Sequence, residues 1–130
     1  MEGSRCVKVP VILQMEALEC GAACLAMVMA YHKKWVPLDR VRIACGVSRD
    51  GSNALNIVRA AEGYGLEYRA LKADAESLRT DCTFPAIVFW NANHFVVLCG
   101  FRRGYAYLND PAQGRLRIPF EEFRQSYSGI

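Results

Sequence analysis

Residues 20–32 read CGAACLAMVMAYH, and the apolar positions do not keep to one side of a helix. Positions 20, 24, 27, 28 and 31, taken with 25 and 29, cover most of the circumference of a helical projection. A helix with no polar face cannot rest on a surface, so it must lie in the middle of whatever the chain builds. Ala, Leu and Met favour the helical state, and Lys33 and Lys34 supply cations where its C-terminal end should fall. The uncharged stretch from Cys20 to Tyr31 is twelve residues, too few for a bilayer, which takes about 20. The helix is therefore the centre of a globular domain, and 130 residues give room for one such core.

The rest of the chain supplies elements to pack around it. Residues 7–14 read as an extended lead-in. Pro37 opens and Gly46 closes a second helix over 37–45. A polar loop at 48–52 leads to a third helix over 53–64, with Gly65 as its stop. The period then changes from helical to alternating. Residues 66–71 alternate like a strand, 74–79 fit a short helix, and 85–90, 94–101, 105–109 and 115–118 read as strands. The joints at 91–93, 102–104 and 111–114 are short and turn-like, which favours antiparallel hairpins, and 120–127 reads as a closing helix. Helices first and strands second is an α+β arrangement: a helical N-terminal half packed on an antiparallel β-sheet C-terminal half, in a single domain over 1–130.

Composition excludes several classes. With 52% hydrophobic and 22% charged residues the chain is a folded protein rather than a disordered one. Its net charge of +3 is scattered, with no basic run beyond Lys33–Lys34 and Arg102–Arg103, so the clustered footprint of a nucleic-acid binder is missing. No apolar signal region precedes the structured part, which points to a reducing compartment. The six cysteines, at 6, 20, 24, 45, 82 and 99, then read mostly as buried thiols rather than disulfides. Cys20 and Cys24 are spaced i, i+4, but zinc needs two further ligands and only His94 and scattered cysteines are available, so neither metal nor cofactor is expected.

Two histidines make the search for chemistry short. His32 ends the central helix beside two lysines and reads as a solvated terminus. His94 opens an apolar strand just after a turn. Cys20 lies in the first turn of the central helix, where free N–H groups and the positive dipole end favour thiolate, and Gly21 after it permits close approach. Cys24, one turn deeper, loses the dipole and should stay protonated. Gln14, six residues before Cys20, suits an oxyanion donor alongside the Cys20 backbone N–H. Asp110, sixteen residues after His94 on the hairpin return, suits the group that orients the imidazole. Asn109 is the alternative, and since strand neighbours face opposite ways only one of the two should point at His94. Trp90 reads as sheet core or as a wall of the cleft.

These residues resemble a papain-like cysteine peptidase and, more narrowly, the N-terminal peptidase domain of bacteriocin- and lantibiotic-exporting ABC transporters. The resemblance rests on QMEALECGAACL (14–25), PAIVFW (85–90), HFVVL (94–98) and NDP (109–111), and runs from about residue 8 to the end. It implies removal of a precursor's leader peptide after a double-glycine-type motif, on the cytosolic side of the membrane, coupled to export. Cys20 is then the nucleophile, His94 the general base and acid, Asp110 the orienting residue and Gln14 the oxyanion donor. The implied partners are the leader and the transmembrane and ATP-binding domains of the same transporter, from which residues 1–130 would be a piece. One departure is that the family often has a Gly shortly after the central helix's Tyr, where this chain has His32, Lys33 and Lys34. Two other classes compete. A non-catalytic binding module is disfavoured by the presence of Cys20 with His94. A different papain-like hydrolase or acyltransferase, acting for instance on cell-wall peptides, is disfavoured by the missing secretion signal.

Overall fold

The computed structural model describes residues 6–15, 19–46 and 54–130. The polar loop expected at 48–52 lies outside the described residues, as does the first residue of the third helix.

The central helix, α1, spans Cys20–Tyr31, and every residue from Gly21 to Ala30 except Val28 is buried. Helix α2 (Leu38–Cys45) starts after Pro37 and ends at Gly46, whose φ of +64° is the left-handed conformation that glycine adopts without penalty. Helix α3 (Ala54–Gly63) turns Ile57, Ala60 and Ala61 inward. Helix α1 lies on one face of the sheet with Val9 of the lead-in, sharing a core with Phe95, Val97 and Cys99, and α2 and α3 pack against α1.

The sheet is a four-stranded antiparallel meander, β1 (Ala86–Trp90), β2 (His94–Arg102), β3 (Tyr105–Asp110) and β4 (Gly114–Pro119), in the order β1-β2-β3-β4. Its other face is also covered. Helix α4 (Ala75–Asp81), capped by the Asp74 carboxylate on Ser77 N–H at 2.8 Å, contributes Leu78, and α5 (Phe120–Ser126) contributes Phe120 and Phe123. These pack on Val88, Trp90, Val96, Leu98 and Leu108. Strand β2 is thus buried on both faces, which explains its continuous apolar run where a one-sided strand would alternate.

The helical half, the antiparallel sheet and the closing helix match the sequence reading. Residues 66–71 do not. They run without a strand partner, and Tyr68 and Leu71 are about half exposed. The edge of β1 that such a strand would need is already taken by the chain's last residues. Asn91 N–H donates to Ser126 O, Ser128 N–H to Phe89 O, and Phe89 N–H to Ile130 O, at 2.7, 3.0 and 3.0 Å. Alternation gives a strand only when an edge is open to receive it.

The end of α1 answers the departure noted at Lys33. Lys34 N–H donates to Met29 O at 2.8 Å and Lys33 N–H to Ala30 O at 2.9 Å, the pair of bonds of a Schellman cap. That cap puts Lys33 at φ +69°, the left-handed region in which a side chain is disfavoured.

Candidate active site

The amino end of α1 abuts the start of β2. Cys20, the first helical residue, is half-buried, and its thiol lies close enough to the His94 side chain to have its pKa lowered by it. His94 is placed by the turn that joins β1 to β2 and stands opposite Trp90 in the ladder. Strand β3 lies beside β2 in antiparallel register, with Val97 across from Asn109, and this brings Asp110 alongside His94. His94 Nε2 lies 2.8 Å from Asp110 Oδ1. With Nε2 engaged there, Nδ1 is the ring nitrogen left for the thiol. Three of the four residues singled out in the sequence are therefore gathered together, with His94 between Cys20 and Asp110.

Asp110 is itself held firmly. It is 3% exposed, its Oδ1 also accepts Ala112 N–H at 2.8 Å, and its Oδ2 accepts Gln113 Nε2–H at 3.2 Å. Asn109 faces away, donating its amide N–H to Val9 O at 2.9 Å and Pro10 O at 3.3 Å. The alternation along β3 settles the choice between them: the acid meets the histidine, and the amide ties down the lead-in.

The fourth residue, Gln14, is fixed through its main chain. Its N–H donates to Pro111 O at 2.8 Å, one residue past Asp110. Trp90 proves to be core, 8% exposed with its ring 5.5 Å from that of Phe123, centroid to centroid. Sequence reasoning missed Glu19. It precedes the nucleophile candidate, is 2% exposed, and accepts from Met15 N–H and from Arg42. An acidic residue abutting a wholly apolar helix was a signal that it has a specific partner.

The electrostatics follow from these contacts. Burial pushes the Cys20 thiol up. The hydrogen bond with His94, the Phe95 N–H, the His94 charge and the Gly21 N–H together outweigh burial, and the thiol ends below its ordinary value. His94 moves the other way. The hydrogen bond with Cys20 raises it, partial burial opposes, and the bond to Asp110 and the two negative charges add, so that it is pushed up to about 9. The two groups thus favour a thiolate–imidazolium pair. Burial raises the Cys24 thiol well above its ordinary value, that of Cys45 to about 11 and that of Cys99 to about 12. An ionised thiol beside a protonated imidazole, itself oriented by a carboxylate, is equipped for nucleophilic attack on a carbonyl. Among the described residues no group of three or more metal-ligating side chains is gathered, and no helix is long and apolar enough to cross a membrane.

Comparison with known proteins agrees with this geometry. The colicin V secretion/processing ATP-binding protein CvaB of Escherichia coli is 38% identical over 123 residues, covering 95% of this chain. The chain spans only 18% of that relative's length. A solved double glycine motif protease from an AMS/PCAT transporter, in complex with the leader peptide, superposes with a TM-score of 0.94 at 62% identity. That match covers 96% of this chain and 89% of the other. The peptidase domain of Streptococcus ComA, a bi-functional ABC transporter, superposes with a TM-score of 0.86 at 28% identity, covering 94% and 93% of the two chains. The family model described as the Peptidase C39 family matches residues 8–130. With nearly its whole length matched, the chain belongs to the peptidase C39 family, a family of cysteine peptidases.

Proposed function

We propose that this domain removes the leader peptide from a ribosomally made precursor by cutting after a double-glycine-type motif, and that Cys20, His94, Asp110 and Gln14 carry the reaction. The observation that supports this most directly is the gathering of Cys20 and Asp110 about His94, whose Nε2 lies 2.8 Å from Asp110 Oδ1.

The chemistry runs in two halves. The Cys20 thiolate attacks the carbonyl carbon of the residue before the scissile bond, and charge develops on the carbonyl oxygen. The Gln14 side-chain amide and the Cys20 backbone N–H stabilise that oxyanion. The His94 imidazolium gives its proton to the leaving amine as the C–N bond breaks, leaving a thioester on Cys20. Neutral His94 then takes a proton from water, the hydroxide attacks the thioester, and the thiol departs. Asp110 holds the ring in place and stabilises its charged form, as the third member of a triad does.

The size of the relatives supports a wider setting. In this reading residues 1–130 form a single domain of a longer transporter polypeptide, on the cytosolic side of the cell membrane, working with its transmembrane and ATP-binding domains. The leader binds as an amphipathic helix remote from the cut, with apolar anchors at i, i+3, i+4 and i+7, and so helps to place the scissile carbonyl.

The test compares a full-length leader peptide with one carrying only its last few residues. Fast, Cys20-dependent cleavage after Gly-Gly in the full peptide and slow cleavage of the short one are expected. Equal rates for both would leave a simple Gly-Gly peptidase, and no cleavage of either would remove the peptidase reading.

A further inference from the structure

Glu19 has no part in the chemistry just described, yet it is one of three buried polar or charged side chains among the described residues, the others being Asn109 and Asp110. Burying a carboxylate is costly unless it is bonded on several sides. The side chain does not cap α1, although it sits at the N-cap position. Instead its Oε2 accepts Met15 N–H at 2.8 Å and its Oε1 accepts Arg42 Nη1–H of α2 at 2.9 Å. Buried ion pairs are often no more stabilising than apolar residues of the same volume, so stability is a weak reason for keeping one. What this pair specifies is a place for Met15, the neighbour of Gln14.

We infer that Glu19 is a positioning residue that acts through Gln14, fastening the segment 14–15 against the start of α1 so that the Gln14 amide meets the developing oxyanion. The segment is held at two points. Gln14 N–H is bonded to Pro111 O beside Asp110, and Met15 N–H is bonded to Glu19 beside Cys20. The segment is thereby tied down beside both Asp110 and Cys20. Arg42 holds the carboxylate in turn, so α2 braces the same point. A misplacement of about 1 Å in such a group costs roughly 10²-fold in rate, which sets the size of the expected effect. The inference rests on the reading of Gln14 as oxyanion donor.

The experiment is a double-mutant cycle on cleavage of a fluorogenic leader peptide ending in Gly-Gly, with iodoacetamide alkylation of Cys20 as the second readout. Glu19→Leu, which keeps the volume, is expected to lower kcat about 10²-fold with little change in KM. Alkylation of Cys20 should keep its rate and pH profile, because His94 governs the thiolate. In the Gln14→Ala background, Glu19→Leu should add less than about threefold, since the residue it acts through is already gone. Glu19→Gln, which retains an acceptor for Met15 N–H, should recover most of the rate. Glu19→Ala replaces the leucine variant if that one does not fold. Independent, multiplying losses for Glu19→Leu and Gln14→Ala would overturn the inference. So would slowed alkylation, which would mean that the start of α1 itself had moved. Full kcat in Gln14→Ala alone would instead overturn the reading of Gln14, and the inference with it.

Discussion

Cys20 and Cys24 lie one turn apart on the same helix and ionise in opposite directions. Cys20, at the helix start, meets His94 and the N–H groups of Phe95 and Gly21, whereas Cys24 is wholly enclosed and its thiol is driven up by burial. At neutral pH, iodoacetamide should therefore modify Cys20 at least about ten times faster than Cys24, because Cys20 is both the more ionised and the more accessible thiol. Cys20→Ala should abolish peptide cleavage while leaving leader binding, and Cys24→Ala should stay active. Peptide mapping after brief alkylation, with cleavage assays on the two variants, checks both. A dead Cys24→Ala would transfer the nucleophile's role to the wrong turn of the helix.

The pH profile follows from the same pair. The reactive state needs Cys20 deprotonated and His94 protonated. Because the thiol is lowered from its usual value and the imidazole is pushed up to about 9, this state is the predominant one between the two titrations. Activity should rise with pH on an acid limb below the ordinary thiol range, as thiolate forms. It should fall through about pH 9, as the imidazolium loses the proton needed by the leaving amine. A profile of kcat/KM against pH that still climbs above pH 9 would contradict the pairing.

Asp110 and Asn109 should fail differently when replaced. Asp110→Asn removes a negative charge and keeps an amide to hold the ring, so it should cost less than His94→Ala. Loss of that charge also disfavours imidazolium, so the alkaline limb should move to lower pH. Asn109→Ala leaves Val9 O and Pro10 O without their donor, which should lower stability by about 1–3 kcal/mol. Urea titration should report the second variant and the pH profile the first. An Asn109→Ala that keeps full stability would mean that the lead-in is held by other means.

Lys33→Gly should stabilise the protein. The left-handed conformation at φ +69° disfavours a side chain, and the cap's two hydrogen bonds come from backbone that glycine retains. A gain of about 1 kcal/mol is expected, read as a rise in Tm. Lys33 is remote from Cys20 in the chain and in α1, so cleavage rates should be unchanged. A drop in Tm would show that the lysine side chain makes up for the strain.

Much of this was legible in the residues because local rules act without help. Pro37 and Gly46 bracket α2, and the apolar circumference of 20–32 could only be central. Cys20, His94 and Asp110 were readable since a helix start, a strand start and a hairpin return each fix a side chain locally. What stayed hidden depends on distant chain. Residues 66–71 alternate as convincingly as the true strands yet find no strand partner, while the tail takes up the β1 edge. Trp90 was undecidable between wall and core because its partner, Phe123, is thirty-three residues away. Glu19 escaped notice for the same reason, its counter-charge sitting on another helix at Arg42.

The adjacent pair on β3 makes the enzyme intolerant of insertions. Asn109 and Asp110 divide their labour between the two sides of one strand, so moving the chain along by a single residue would turn each to the opposite side. An insertion would then present the amide to His94, whereas a deletion would set the carboxylate against the carbonyls of Val9 and Pro10, where it has nothing to accept. A one-residue insertion or deletion in the tight joint at Arg103–Gly104 would thus cost both the carboxylate beside His94 and the anchor of the N-terminal segment at once. Length variation in descendants of this chain should be confined to the connections that leave β3 in step with β2, and the hairpin before Tyr105 should be the last place to accept it.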